Sequence, residues 1–247
     1  MATSQPTRPD AAAAQERTEA FPNGHLLWSP AQLHARLGDP KLALVDLRGA
    51  HELFQGIIPG AAHFDLYGLG LSTTEPPLLD ELMNLTRSLL GLRGVGHEKT
   101  VVFYEKDTGN RVGRAFWMME YFGHQDVHVL DGGFNAWLAA GYPVAHEMAE
   151  PHPASFKIQP QKHLYIGADE LRQKIEAGEI LPLDTRADDE YYGRNKRGTK
   201  RGGAIPKAVH LEWTQYLDAH GRFKPPSELE ALFKSAGITK DKAIAPY

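Results

Sequence analysis

The chain has 247 residues, long for one average domain and comfortable for two, and its 42% hydrophobic and 23% charged residues have the balance of a globular protein. Its 27 lysines and arginines against 31 aspartates and glutamates leave a net charge of −4. That excludes an overall attraction to nucleic acid or anionic lipid, no apolar run is long enough to span a bilayer, and the absence of cysteine removes disulfides, thiolate nucleophiles and cysteine metal sites from what these residues can do.

Residues 1–20 are rich in Ala, Gln, Thr and Pro and short of large apolar side chains, so a disordered tail is expected over 1–22. The run Ala11-Ala12-Ala13-Ala14 before Gln15-Glu16-Arg17 is too short and too polar for a secretory signal, which leaves the cytoplasm as the expected location. Ser29-Pro30 is a helix start leading into Leu33 and Leu37. Leu42-Ala43-Leu44-Val45-Asp46 is an apolar run closing on an acid, the pattern of a strand buried on both faces. Leu78, Leu82, Leu85 and Leu89 fall at helical spacing and predict a helix with those leucines on its inner face. Thr100-Val101-Val102-Phe103-Tyr104 is a strand, and residues 111–122 carry Val112, Phe116 and Met119 at helical spacing. A strand over 126–130 and a helix over 134–140, ended by Gly141, follow. Strands alternating with helices imply α/β domains with central, mostly parallel sheets flanked by helices.

The pattern then repeats. Leu44-Val45-Asp46-Leu47-Arg48 returns as Pro182-Leu183-Asp184-Thr185-Arg186, and Ile58-Pro59-Gly60-Ala61-Ala62-His63 as Ile205-Pro206-Lys207-Ala208-Val209-His210. Between these motifs the second copy is longer, the extra chain lying within 192–201, and residues 94–104 line up with 237–247, both ending on Tyr. The expected organisation is a tail over 1–22, a domain over 23–148, a linker over 149–164 beginning near Pro151-His152-Pro153, and a second domain over 165–247. Residues 105–144 of the first copy have no counterpart in the second, so the second domain is expected to be incomplete.

Val45-Asp46-Leu47-Arg48, the Ile58-Pro59-Gly60-Ala61 turn with His63, the strand into Tyr104, and Leu130-Asp131-Gly132-Gly133-Phe134-Asn135-Ala136-Trp137 together resemble a rhodanese domain. With its second copy the chain resembles the tandem-domain sulfurtransferases that act on thiosulfate or 3-mercaptopyruvate. The resemblance implies a silent first domain with an acid where the second domain carries the sulfur-accepting cysteine, just after the Tyr-ended strand. Glu105 holds that position in the first copy, and the position after Tyr247 would hold it in the second. It also implies transfer of sulfane sulfur from a small anionic donor, through a cysteine persulfide, to cyanide or a thiol, with no cofactor. A thiolate in a loop of backbone N–H groups before a helix is what such chemistry needs, and no carboxylate replaces it. The 247 residues as they stand are therefore expected to be inactive. The alternative is a non-catalytic binding or regulatory module presenting the loop of the first domain.

Among candidate site residues, the resemblance assigns Arg186 to the anionic substrate, since a guanidinium offers two parallel charge-assisted bonds; the alternative is a pairing with Asp188 or Glu190. Arg48 is its counterpart in the silent copy. Glu105 reads either as an anion that holds its loop in shape or as a general base. Asp46 and Asp184 end strands where they can accept N–H bonds from the following turn, and His63 and His210, repeated in both copies, are expected to bond locally. Arg194, Lys196, Arg197, Lys200 and Arg201 place five cations in eight residues, either a funnel for small anions or a solvated loop. No histidine pair has metal-ligand spacing, and no metal, nucleic acid or membrane partner is assigned.

Overall fold

The computed structural model describes residues 20–70, 75–150 and 152–247. Positions 1–19 of the expected tail, and Pro151 of the expected linker, lie outside the described residues. At the inner end of that tail Phe21 packs against the first core, so ordered chain begins before residue 23 because an aromatic ring is available there to bury.

Strands β1 (Leu27–Trp28), β2 (Leu42–Asp46), β3 (Ala62–His63), β4 (Thr100–Tyr104) and β5 (Val127–Leu130) form one sheet in the order β1-β5-β4-β2-β3, with every neighbouring pair parallel. Parallel neighbours need crossovers, and helices supply them. Helix α1 (Pro30–His34) opens with a reciprocal cap in which Ser29 Oγ accepts Gln32 N–H at 3.3 Å and Gln32 Oε1 accepts Ser29 N–H at 2.8 Å. Helices α2 (Pro76–Leu92) and α3 (Asn110–Tyr121) cover one face of the sheet, where Val45, Val101, Phe103 and Val127 meet Met83, Leu90, Val112 and Met119. Helix α4 (Gly133–Ala139) covers the other, where Leu44, Val102, Tyr104 and Leu130 meet Leu33, Phe134 and Trp137. The alternation of strand side chains between two buried faces explains the continuous apolar runs.

The inner face of α2 differs from the expected one. Leu79, Met83, Thr86 and Leu90 are buried, while Leu78 and Leu85 are 44% and 49% exposed. Two apolar stripes one residue apart satisfy the same spacing, and the sheet takes the one containing Thr86, whose hydroxyl is satisfied by donating to Leu82 O at 2.9 Å.

The second domain rebuilds part of the first. Strands β6 (Ile180–Asp184), β7 (Val209–His210) and β8 (Ala243–Pro246) make a parallel sheet in the order β7-β6-β8, the counterpart of β3-β2-β4, with helices α5 (Ala168–Ala177), α6 (Asp188–Tyr191) and α7 (Pro226–Ser235). The match extends to single bonds: Leu47 N–H donates to Tyr104 O at 2.8 Å, and Thr185 N–H to Tyr247 O at 3.0 Å. Burial does not match. Val101–Tyr104 are wholly buried, whereas in β8 Ala245 is buried, Ile244 half-buried and Ala243 and Pro246 exposed. Leu183, Phe233, Ile238 and Ile244 line an open depression of about 620 Å³ beside this sheet.

The domains meet at specific bonds. Thr108 N–H donates to Gly221 O at 2.8 Å and Phe223 N–H to Asp131 Oδ1 at 3.2 Å, while Trp117 Nε1 donates to Leu164 O at the end of the linker at 3.0 Å. Among the described residues no helix is long and apolar enough to cross a membrane.

Candidate functional site

Each domain carries the same small assembly at the carboxyl end of its central strand, the edge where parallel α/β sheets place their sites. In the first, Asp46 Oδ1 accepts Arg48 N–H at 2.9 Å and Arg48 Nε at 3.0 Å, and Asp46 Oδ2 accepts Arg48 Nη2 at 2.6 Å. Arg48 Nη2 also donates to Gly56 O at 2.7 Å, the Tyr104 hydroxyl accepts Ile58 N–H at 3.1 Å, and His63 Nε2 lies 2.8 Å from Arg48 O. In the second, Asp184 Oδ1 accepts Arg186 N–H and Nε, both at 3.0 Å, and Asp184 Oδ2 accepts Arg186 Nη2 at 2.6 Å. Arg186 Nη2 donates to Gly203 O at 2.9 Å, the Tyr247 hydroxyl accepts Ile205 N–H at 2.9 Å, and His210 Nε2 lies 2.9 Å from Arg186 O. Arg186 thus pairs with Asp184 and not with Asp188 or Glu190, because a side chain two residues along a strand end curls back onto the carboxylate that already holds its backbone.

The two guanidinium groups differ in exposure. Arg48 is 1% exposed, with Phe134 stacked 3.7 Å from its Cζ, and its Nη1 has no hydrogen-bond partner. Arg186 is 32% exposed, with the Tyr247 ring at 5.2 Å, and its Nη1 makes no hydrogen bond among the described residues. Burial pushes the Asp184 carboxyl up, but the bonds from Arg186 outweigh it and hold the group below the usual carboxylate range. Burial, with the Asp184 carboxylate nearby, pushes the Tyr247 hydroxyl up to about 12, so it stays a neutral phenol.

The loop after Tyr104 shows what the sheet end can cradle. Glu105 Oε1 accepts Arg111 N–H at 2.8 Å and Val112 N–H at 3.1 Å, two unpaired donors of the first turn of α3. A Cβ at Gly109 would lie 2.7 Å from the same oxygen, so glycine is what lets the backbone close around the carboxylate. Burial pushes the Glu105 carboxyl up to about 6 against the opposing pull of the Val112 and Arg111 N–H groups. The start of α4 holds the loop from behind, with Phe134 N–H donating to Glu105 O at 2.8 Å and Asn135 N–H to Lys106 O at 3.0 Å. This loop is covered by the second domain through the Thr108–Gly221 and Asp131–Phe223 bonds.

The basic segment leaves the second domain at a narrow neck and is held against α6. Gly193 and Gly202 approach so closely that a Cβ at Gly202 would lie 2.7 Å from Gly193 O, which pinches the neck of a loop spanning 194–201. Arg194 Nε pairs with Asp189 at 2.6 Å and Arg197 Nη2 with Glu190 at 3.1 Å. Lys196, Lys200 and Arg201 are exposed and have no acidic partner among the described residues. The loop is tied to Arg186 only at its base, through Gly203 O. Sequence reading missed the carbonyls of Gly56 and Gly203 as arginine acceptors and the Thr108–Asp131–Phe223 clamp; the Gly193…Gly202-Gly203 spacing is the signal that marks the pinched neck. Among the described residues no cluster of three or more histidines and carboxylates is arranged to hold a metal.

Comparison with known proteins fits this geometry. The family model of the rhodanese-like domain matches residues 29–140. Thiosulfate sulfurtransferase from Azotobacter vinelandii is 32% identical over 222 residues, covering 90% of this chain and 82% of that protein. A probable 3-mercaptopyruvate sulfurtransferase from Pseudomonas aeruginosa is 32% identical over 238 residues, covering 89% of this chain and 82% of that protein. The crystal structure of the 3-mercaptopyruvate sulfotransferase SseA from Escherichia coli superposes with a TM-score of 0.76 over 90% of this chain and 87% of that one, at 24% identity, which bears on the fold.

Proposed function

The chain belongs to the rhodanese family, whose relatives here are thiosulfate and 3-mercaptopyruvate sulfurtransferases, and on that premise we propose that residues 165–247 hold the anion-binding side of a sulfurtransferase site. The observation that carries the reading is the strand-end assembly that the two copies share. Arg186 is fixed by Asp184 and the Gly203 carbonyl through the bonds that fix Arg48 on Asp46 and Gly56, and its Nη1 makes no hydrogen bond among the described residues.

In this reading Asp184 orients Arg186, and Arg186 Nη1 takes an oxygen of thiosulfate or the carboxylate of 3-mercaptopyruvate in a charge-assisted bond. Sulfur transfer would proceed at a cysteine in the position after Tyr247, equivalent to Glu105. With thiosulfate, the thiolate attacks the outer sulfur, the S–S bond breaks and sulfite departs with the electron pair. The resulting persulfide then gives that sulfur to cyanide or a thiol and returns as the thiolate. Tyr247 supports the assignment of that position, since it accepts from Ile205 the bond that Tyr104 accepts from Ile58. Residues 1–247 contain no cysteine, so by themselves they do not carry the transfer.

The binding-module alternative draws less support. The cradle of the first domain is filled by its own Glu105 carboxylate, and the loop is covered by Gly221 and Phe223. Titration with thiosulfate followed by NMR tests the proposal. Amide shifts confined to residues around Arg186 and Tyr247, and lost in Arg186→Gln, are expected; shifts that persist in that variant, or none, would overturn it.

A further inference from the structure

We infer that the loop over 194–201 is a docking site for an acidic protein surface, and, resting on the sulfurtransferase reading above, that this protein is the sulfur acceptor. The loop is built to present charge. Its neck is closed by Gly193 against Gly202, Thr199 ties it internally through Lys196 O and Arg201 O at 2.6 and 2.7 Å, and Arg197 and Gly198 take left-handed backbone at φ 44° and 79° to turn it. Two of its five cations are neutralised by Asp189 and Glu190, which fixes the loop on α6. The other three, Lys196, Lys200 and Arg201, are paired with no acid among the described residues.

A small anion is a poor match for this surface. Residues 194–202 are all exposed, and a single contact between an exposed lysine and an anion is screened and weak. Several carboxylates held on one scaffold engage the three free cations together and share one cost of association. Beside the loop Tyr192 is 62% exposed with Arg194 over its ring at 5.2 Å, the pairing of aromatic and arginine that protein interfaces favour. A uniform polyanion such as nucleic acid fits less well, because one loop on a chain of net charge −4 lacks the extended basic face that a phosphate backbone follows. The loop base is gripped by Arg186 through Gly203 O, so a partner seated there lies beside the proposed sulfur site.

Fluorescence anisotropy at low salt tests this with the full chain, using a labelled glutamate-rich peptide and a labelled oligothymidylate of equal charge. The peptide is expected to bind more tightly than the oligonucleotide, and its affinity to fall about tenfold when Lys196→Ala, Lys200→Ala and Arg201→Ala are combined. These positions are exposed and outside the Asp184–Arg186 site, so the variant keeps the fold, which circular dichroism verifies. Absence of peptide binding, equal binding by the variant, or tighter binding of the oligonucleotide would overturn the inference. No sulfur transfer enters the assay, so its failure leaves the thiosulfate titration untouched, and a failed titration leaves peptide binding standing.

Discussion

Tyr104 and Tyr247 accept the same hydrogen bond in the two domains, from Ile58 N–H at 3.1 Å and from Ile205 N–H at 2.9 Å. Each ring therefore closes its strand end onto the Ile-Pro turn, and each bond spans two segments that are distant in sequence. The Tyr104 ring is wholly buried, while Tyr247 is half-buried. Removing the hydroxyl leaves a backbone donor unpaired, at a cost that grows with burial. Tyr104→Phe is expected to lower stability by about 1–3 kcal/mol and Tyr247→Phe by less, about 1 kcal/mol. Urea denaturation of both variants checks the order, and a larger loss for Tyr247→Phe would count against it.

The aspartates that hold the twin arginines give a second comparison. Asp46→Ala leaves Arg48 charged and fully buried, and is expected to cost roughly 3–5 kcal/mol. Asp184→Ala leaves Arg186 partly in water, where solvent takes up much of the lost interaction, so its cost is expected to be well below that of Asp46→Ala. Equal midpoint shifts in denaturant would contradict the difference in burial.

Glu105 makes stability depend on pH. Its carboxyl is raised to about 6 in the folded chain against an unfolded value of 4.5, so between those values the folded state binds the proton more readily. Stability from this group is accordingly greatest at low pH and is lost as pH rises through about 6. Glu105→Gln keeps an oxygen for the Arg111 and Val112 N–H groups and removes the titration. Wild type is expected to lose stability relative to Glu105→Gln as pH is raised from 4.5 to above 6. Parallel profiles for the two would show that the group titrates elsewhere.

Much of the fold was legible because the two copies check each other: a strand ending in Asp-x-Arg, an Ile-Pro turn followed by His, and a strand ending in Tyr recur in order. The sequence misread the inner face of α2, since leucines occupy two adjacent stripes and only packing chooses the one with Thr86. Arg186 is visible as a candidate in the sequence, yet its partner is not, because Asp184 reaches it by a local turn while Asp188 stands just as near in sequence. The division of the basic loop into paired Arg194 and Arg197 and unpaired Lys196, Lys200 and Arg201 depends on where α6 places Asp189 and Glu190. Spacing alone does not reveal that.

Uneven burial of the two sheets should appear in hydrogen exchange. Amides of β4, buried from Val101 to Tyr104 with neighbours on both sides, are expected to exchange far more slowly than those of β8, an edge strand whose Ile244 is half-buried. Equal protection of the two strands would mean that β8 is shielded in solution by something other than the described residues.

The most direct test of the account is thiocyanate formation from thiosulfate and cyanide by purified polypeptide of residues 1–247. No thiocyanate above the protein-free rate is expected, because residues 1–247 have no thiolate to carry the sulfur. Formation that scales with protein and saturates with thiosulfate would contradict it.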